Sequence, residues 1–350
     1  MIKKNKLNLI NEIKKLAKLI NTPFNILVVS HYNPDGDAIG SLLAMVHYLN
    51  KKGHKVSAMV PNEIPHFLRW LKDSEKVIIF QKNQKKAFKI IGQSDIIICV
   101  DFNTPGRIKG FGSKLIPSKA IKVLIDHHPN PDNIFDINLS DISVSSTAEL
   151  IYKFILKAGD RKIIDSVIAE CIFAGIMADT GCFSYNSSNP ETFQIVADLL
   201  TCDINKDKIY NLLYDNFSSS RIKLMGYCLN EKMVIIPEFH VAYISLTREE
   251  MARYNFKTGD SEGFVNIPFS VKGIYITALF TEQKDHIRIS FRSRGDFAIN
   301  EFCEKHFDGG GHKNAAGGES KLPLKETIEK FEKLLNLYHN EIENIQLSEN

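Results

Sequence analysis

Four separate short segments of the chain carry carboxylate or imidazole side chains, the groups that hold divalent cations in proteins. Each segment follows a short apolar run, and these runs are residues 26–29, 96–100, 121–125 and 174–178. We predict that all four runs end at one edge of one sheet, because open α/β sheets bind ligands at the carboxyl ends of their strands. The candidate metal ligands are His31, Asp35, Asp37, Asp101, His127 and Asp179.

This set contains four carboxylates and two imidazoles, and so many acids cannot all stay ionised at close range without a counter-charge. A pair of divalent cations removes the conflict. Mixed oxygen and nitrogen ligands with an excess of acids favour Mn²⁺ over a thiolate-rich zinc site, and Mg²⁺ and Co²⁺ stay open. Two such ions about 3.5–4 Å apart can share a water, lower its pKa and clamp a phosphorus centre for in-line attack.

Each segment also has an ordinary structural interpretation. Residues 33–37 could form a turn that caps a helix, and Asp101 could be a turn residue before Pro105. Residues 126–128 could be polar surface after a strand, and residues 179–181 could form another turn. The occurrence of all four at the ends of apolar runs favours a metal site.

A second candidate site lies in the C-terminal third, where residues 309–318 read GGGHKNAAGG. We predict a loop, because this run is too rich in glycine for the interior of a helix or strand. Successive small residues expose backbone N–H groups to a phosphate, although a flexible loop without a ligand stays the alternative. The candidate anion-binding residues are Gly309, Gly310, Gly311, His312 and Arg292. The guanidinium of arginine suits phosphate oxygens, and we prefer Arg292 to Arg294 because it lies nearer the end of the predicted strand.

The elements that must position these residues divide the chain in two. Nearly continuous apolar runs with helical patterns between them, over residues 37–50, 146–158, 161–174 and 190–201, predict an α/β domain with a doubly wound, mainly parallel sheet. An amphipathic helix that includes Leu9, Ile13, Leu16 and Ile20 precedes it and should cover the sheet.

Strand patterns at residues 233–236, 241–246, 274–280 and 287–291, followed by helical patterns near 296–307 and 323–341, predict a smaller α+β domain. We therefore expect domains at residues 1–217 and 233–345, a linker at 218–232, and an active site in the cleft between the domains.

Composition restricts the function further. The 350 residues include 44 basic and 41 acidic side chains, a net charge of +3, so an anionic substrate must be bound locally and not along an extended basic track. The six cysteines lack a CxxC pair, which indicates reduced cysteine in the cytoplasm. No apolar run is long enough to span a membrane.

Taken together, these segments resemble the DHH (Asp-His-His) phosphoesterase superfamily. The matching pieces are residues 30–41 (SHYNPDGDAIGS), 100–101 (VD), 126–128 (DHH), 178–181 (ADTG) and the distal glycine-rich run. Residues 145–149 (SSTAE) and 290–293 (SFRS) are most similar to the nanoRNase/pAp-phosphatase branch. The resemblance implies a second domain of the DHH-associated type, and Tyr32 is a mild departure that touches no ligand.

The resemblance also implies a role for each residue. His31, Asp35 and Asp101 would hold one Mn²⁺, and Asp37, Asp101, His127 and Asp179 the other, with Asp101 bridging. His128 would contact the scissile phosphate and donate a proton, with Asp126 orienting its neighbours. Arg292, His312 and the backbone of Gly309, Gly310 and Gly311 would bind the terminal phosphate or first nucleotide.

We therefore expect a manganese-dependent phosphohydrolase that trims short oligoribonucleotides to mononucleotides and removes the 3′-phosphate of pAp. A linear or cyclic dinucleotide phosphodiesterase, an exopolyphosphatase or pyrophosphatase, and a nucleotide-binding regulator without turnover are the alternatives. The expected partners are short oligonucleotides or phosphonucleotides, with no membrane and no long nucleic acid, and a homodimer is left open.

Overall fold

The computed structural model describes residues 2–108 and 110–345, without the side chains of residues 2–6. The described chain forms two compact units, one up to Asn216 and one from Phe217 onward. Within the described residues of the first unit, six parallel strands form one sheet in the order β3-β2-β1-β4-β5-β6. The strands are β1 Asn25–Val29, β2 Lys55–Val60, β3 Ile78–Ile79, β4 Ile96–Val100, β5 Ile121–Asp126 and β6 Ile137–Ser140.

The strand order reverses between β1 and β4, because the chain builds outward on one side to β3 and then returns to the other side of β1. The crevice beyond the carboxyl ends of strands at such a reversal is where doubly wound sheets bind ligands. The predicted fold class, a doubly wound parallel sheet followed by a smaller α+β unit, is confirmed. Strand β4 is buried along its whole length, as expected for a sheet covered on both faces.

Helices cover both faces of this sheet or pack against the helices that do. They are α1 Ile2–Leu19, α2 Gly36–Lys51, α3 Gln84–Gln93, α4 Gly112–Leu115, α5 Thr147–Lys157, α6 Ser166–Asp179, α7 Pro190–Leu200 and α8 Lys206–Tyr214. The predicted amphipathic helix is confirmed: Ile13, Leu16 and Ile20 are buried, and α1 packs against β6 and α5.

The prediction for residues 174–178 is wrong, because this run is the last part of α6 and not the end of a strand. The sequence of α6 is apolar on almost every side, and a short apolar run of this kind does not distinguish a buried strand from a buried helix. The predicted helix at residues 161–174 is thus displaced toward the C-terminus, with a 3₁₀ turn at Arg161–Ile163 before it. Asp179 still reaches the same edge of the sheet, but from the end of a helix.

The second unit contains a mixed six-stranded sheet among its described residues, in the order β11-β12-β10-β9-β8-β7. Its strands are β7 Met233–Ile236, β8 Val241–Leu246, β9 Ile276–Glu282, β10 Ile287–Ser293, β11 Gly310–His312 and β12 Ala315–Ser320, and β8 pairs with β9 in parallel. Its helices are α9 Ser219–Tyr227, α10 Arg248–Arg253, α11 Ile299–His306, α12 Leu324–Leu337 and α13 His339–Glu343. Residues 219–232 are helical, and Leu224 and Cys228 pack in the core of this unit.

The glycine-rich run was predicted as a loop, and that prediction is wrong. Residues 310–312 and 315–320 form the hairpin of β11 and β12. Glycine is needed here because other chain segments approach too closely for a side chain. A Cβ at Gly309 would lie 2.1 Å from the Gly317 carbonyl oxygen, and one at Gly318 would lie 2.6 Å from that of Phe307.

Candidate metal centre

The first group of candidate ligands lies where the strand order reverses. His31 follows β1, Asp101 follows the neighbouring β4, and Asp101 Oδ2 lies 3.3 Å from His31 Nε2. Asp35 caps α2 by accepting a hydrogen bond from the Ala38 N–H, and its Oδ2 lies 3.9 Å from the same His31 nitrogen. The structure therefore brings the three residues of the first predicted group within reach of one cation.

The second group surrounds His127, which follows β5. Its Nε2 lies 3.4 Å from Asp179 Oδ2 and 3.9 Å from Asp37 Oδ2. Asp179 is the last residue of α6 and Asp37 lies in the first turn of α2, so the end of one helix and the beginning of the other meet here. Asp101 Oδ1 lies 3.7 Å from the same nitrogen. One oxygen of Asp101 thus faces His31 and the other faces His127, which is the geometry of a carboxylate shared between two sites.

Asp126 and His128 lie beside these two groups. His128 Nδ1 is 2.8 Å from Asp126 Oδ1 and 3.9 Å from Asp101 Oδ1. Asp126 is fully buried, and its contact with Nδ1 fixes the orientation of the imidazole ring. The geometry suits the orienting role predicted for Asp126.

The backbone of Asp101 adopts a left-handed conformation, with φ of 63°. Aspartate and asparagine tolerate this region better than other residues with a side chain, and such conformations collect at functional sites. Here the conformation turns the chain out of β4 so that the carboxylate remains between the two histidines.

Electrostatics show that the cluster is short of positive charge. Burial and then the charges of Asp101, Asp179 and Asp35 raise the pKa of Asp37 well above its ordinary value. Burial works to lower the pKa values of His31 and His127, but the neighbouring carboxylates outweigh it and raise both. The cluster therefore attracts protons when no other cation neutralises it.

Two observations show that the residues fit a divalent cation. His31 Nε2 is buried and, among the described residues, has no hydrogen-bond partner, although it points toward two carboxylates. Such an atom is costly unless something coordinates it. The donor set is carboxylate oxygen and imidazole nitrogen, which suits Mn²⁺, Mg²⁺ and related ions.

The predicted anion-binding residues of the second unit also lie together. Arg292 pairs with Ala315 across β10 and β12, and Ala315 pairs with His312 across β12 and β11. Opposite residues on paired strands share a face of the sheet, so Arg292 and His312 flank the small Ala315. Strand β11, which carries Gly310 and Gly311, is the edge strand of its sheet and packs against α11. The neighbouring Arg294 instead stacks on the ring of Phe269.

Comparison with known proteins identifies the family. Residues 25–176 match the DHH family, N-terminal domain, and residues 238–344 match the DHHA1 domain. A solved structure of an exopolyphosphatase-related protein from Bacteroides fragilis is 39% identical and covers 95% of this chain and 98% of its own, with a TM-score of 0.90. The chain belongs to the DHH family.

Two curated relatives of this DHH protein have similar names. The "probable bifunctional oligoribonuclease and PAP phosphatase NrnA" of Streptococcus mutans is 28% identical, and the alignment covers 93% of this chain and 98% of the relative. The "bifunctional oligoribonuclease and PAP phosphatase NrnA" of Bacillus subtilis is 26% identical, with coverages of 87% and 91%. This DHH protein is a metal-dependent phosphohydrolase, as its sequence predicts.

The described part of this DHH protein has no helix with both the length and the apolar character needed to cross a bilayer.

Sequence reasoning missed the groups that hold the carboxylates of this DHH protein in place. The backbone N–H groups of Thr147 and Ala148, at the start of α5, donate to the two oxygens of Asp37 at 2.7 and 2.9 Å. Ser41 also donates to Asp37, and the Thr147 hydroxyl donates to Asp101 Oδ1 at 3.0 Å. The available signal was the pattern of a helix start at residues 146–149, since helix N-termini bind anions.

Proposed function

We propose that this DHH protein hydrolyses short oligoribonucleotides to mononucleotides, and the 3′-phosphate bond of pAp, with two bound Mn²⁺ ions. The observation that carries the proposal is the position of Asp101 between two ligand groups, together with the oligoribonuclease and PAP phosphatase names of two relatives that align over most of the chain. In this proposal His31, Asp35 and Asp101 hold one ion, and Asp37, Asp101, His127 and Asp179 hold the other.

The chemistry needs a nucleophile, a charge clamp and a proton donor. Bound divalent ions would supply an activated water and neutralise charge on the phosphate. Asp126 fixes His128 through Nδ1, so that the opposite ring nitrogen is oriented to contact the scissile phosphate and to protonate the leaving oxygen.

The substrate-binding residues of this proposal lie in the second unit. Arg292 and His312, on either side of Ala315, offer a guanidinium and an imidazole to the terminal phosphate. Backbone N–H groups of the glycine-rich run, residues 309–311, would add neutral donors. We further propose that the enzyme is cytoplasmic, which its unpaired cysteines support.

The test is a turnover panel with metal-stripped protein reloaded with Mn²⁺, Mg²⁺ or Co²⁺. The substrates are a trinucleotide RNA, pAp, pApA, cyclic di-AMP, pyrophosphate and inorganic polyphosphate, the last because of the exopolyphosphatase-related neighbour. We expect rapid loss of the trinucleotide and of pAp with Mn²⁺. Activity confined to pyrophosphate or polyphosphate would contradict the proposed substrate, and silence across the panel would favour a regulator.

The variant that tests the site is Asp101→Asn, because asparagine tolerates the left-handed backbone at this position better than alanine does. We expect activity to fall by at least about 1,000-fold, since the variant loses the carboxylate that serves both ligand groups. Circular dichroism would show that the fold is kept. Undiminished turnover by Asp101→Asn would contradict the assignment of the site.

A further inference from the structure

Glu149 is a fully buried carboxylate in α5 that the proposed reaction does not use. Its Oε2 accepts hydrogen bonds from the Ser145 N–H at 3.1 Å, the Ser145 hydroxyl at 2.6 Å and the Thr192 hydroxyl at 2.8 Å. Lys153 Nζ lies 2.9 Å from Oε1 and also pairs with Glu191. A buried charge with this many partners fixes its surroundings in one arrangement, because loss of any partner leaves a costly unpaired group.

The segment that Glu149 fixes is the turn at residues 145–147. Ser146 caps α5 by accepting from the Glu149 N–H, and Asn186, from the loop after Asp179, donates to the Ser145 carbonyl. The turn is therefore tied to α5, to α7 through Thr192, and to the loop that follows α6. Its position is set by three separate elements.

The turn at residues 145–147, together with the start of α5, orients Asp37 and Asp101. Ala148 N–H and the Ser41 hydroxyl occupy Asp37 Oδ1, while Oδ2 faces His127. The Thr147 hydroxyl donates to Asp101 Oδ1, the oxygen on the side of His127. A shift of the turn would rotate both carboxylates, and hydrogen-bond partners behind metal ligands typically change metal affinity about 10–100-fold.

We propose that Glu149 is a positioning residue for the metal centre, acting through the turn at residues 145–147 and the Thr147 hydroxyl. This inference rests on the proposed function only in that Asp37 and Asp101 bind cations. It does not depend on which phosphate ester is the substrate.

Asp198 provides a matched control for a purely structural role. Like Glu149 it connects α5 with α7, because it lies in α7 and accepts a hydrogen bond from the Tyr152 hydroxyl of α5. It also pairs with Arg161, and its hydrogen bonds and ion pairs within the described part of the chain do not include residues 145–147. Replacement of either carboxylate weakens the packing of α5 against α7. Of the two, Glu149 is the one that contacts the turn at residues 145–147, whose Thr147 contacts Asp37 and Asp101.

The experiment is calorimetric titration of metal-stripped, full-length protein with Mn²⁺ alone, in the absence of substrate. We expect Glu149→Gln to raise the Mn²⁺ dissociation constant by at least about 10-fold and Asp198→Asn to change it by less than about 2-fold, although both lower the melting temperature. Equal dissociation constants for Glu149→Gln and the wild type would overturn the proposal. So would equal weakening by the two variants, since this would indicate a general loss of packing.

A second pair of variants covers the case in which Glu149→Gln does not fold. Thr147→Val removes the hydroxyl at nearly constant shape, and Thr147→Ser retains it. We expect weaker Mn²⁺ binding for the valine variant and near wild-type binding for the serine variant; identical affinities would contradict the proposal. If these shifts occur in a protein that does not cleave trinucleotide RNA or pAp, the proposed substrates fail and the positioning role stands.

Discussion

At the scale of single residues, Asp179 illustrates the repulsion between the carboxylates of the candidate metal centre. It is the last residue of α6, where the partial negative charge of the helix C-terminus disfavours another negative charge. Its charge also raises the pKa of Asp37. A protonated His127 imidazole, 3.4 Å from Asp179, or a bound cation would offset these repulsions.

We therefore expect Asp179→Asn to have opposite effects with and without metal. At about pH 9, where histidine protonation contributes least, the metal-free variant should be more stable than the wild type by about 0.5–1 kcal/mol. The increase in melting temperature produced by Mn²⁺ should be smaller than in the wild type, because one ligand is lost. Thermal melts with EDTA and with Mn²⁺ measure both effects.

Asp215 supplies the control for the helix-terminus part of this argument. It is the exposed C-cap of α8, so Asp215→Asn also removes a negative charge from a helix end. We expect it to leave the response to Mn²⁺ unchanged. A destabilised metal-free Asp179→Asn protein would show that the carboxylate is satisfied without a cation.

At the scale of elements, close helix packing brings the ligands together. A Cβ at Gly40 of α2 would lie 2.5 Å from the Cys171 carbonyl oxygen and 3.0 Å from the Gly175 nitrogen, both in α6. A Cβ at Gly175 would lie 2.6 Å from the Ala148 Cβ and 2.9 Å from Asp37 Oδ1. The absence of side chains at these glycines lets α2, α5 and α6 meet at the site.

Gly40→Ala should therefore affect both stability and metal binding. The added methyl group meets backbone atoms that cannot rotate away, so we expect a loss of about 1–3 kcal/mol in the free energy of unfolding. Because Asp37 and Asp179 lie on the two helices that must separate, Mn²⁺ affinity should fall as well. Denaturant unfolding and Mn²⁺ titration measure the two quantities.

The control is Gly92→Ala in α3, where a Cβ would meet no atom within 4 Å. Alanine in an open helical position should raise stability by roughly 0.5–1 kcal/mol, because it restricts the unfolded chain. If Gly40→Ala behaves like Gly92→Ala, the close helix crossing does not control the site.

The same elements show how much the sequence predicts. Apolar runs before His31, Asp101 and His127 suffice to place these residues at one sheet edge, because parallel strands end on the same side. Asp179 was placed correctly for the wrong reason, since periodicity does not distinguish the buried helix α6 from a strand. The contacts of Asp37 with Thr147 and Ala148 join residues about 110 positions apart, so only the folded chain shows them.

At the scale of the whole molecule, charge argues for short substrates. A net charge of +3 arises from 44 basic and 41 acidic residues, so the two signs nearly balance. Proteins that hold long nucleic acids neutralise many phosphates and release the associated counterions, which makes their binding strongly salt-dependent. A protein that contacts one or two phosphates avoids both properties.

We therefore expect a weak dependence of KM on salt and a preference for short RNA over long RNA. For a trinucleotide RNA, we expect KM to rise by less than about 10-fold between about 50 and 200 mM salt, because a single-stranded ligand with one or two neutralised phosphates gives a shallow slope. An oligomer of about 24 nucleotides should be cleaved more slowly than the trinucleotide at both salt concentrations, because a nearly balanced net charge offers the extra phosphates little attraction. The measurement is initial rates for a length series at each salt concentration. Comparable turnover of the long and short RNAs, with a steep salt dependence for the long one, would reveal an extended binding surface and contradict the preference for short substrates.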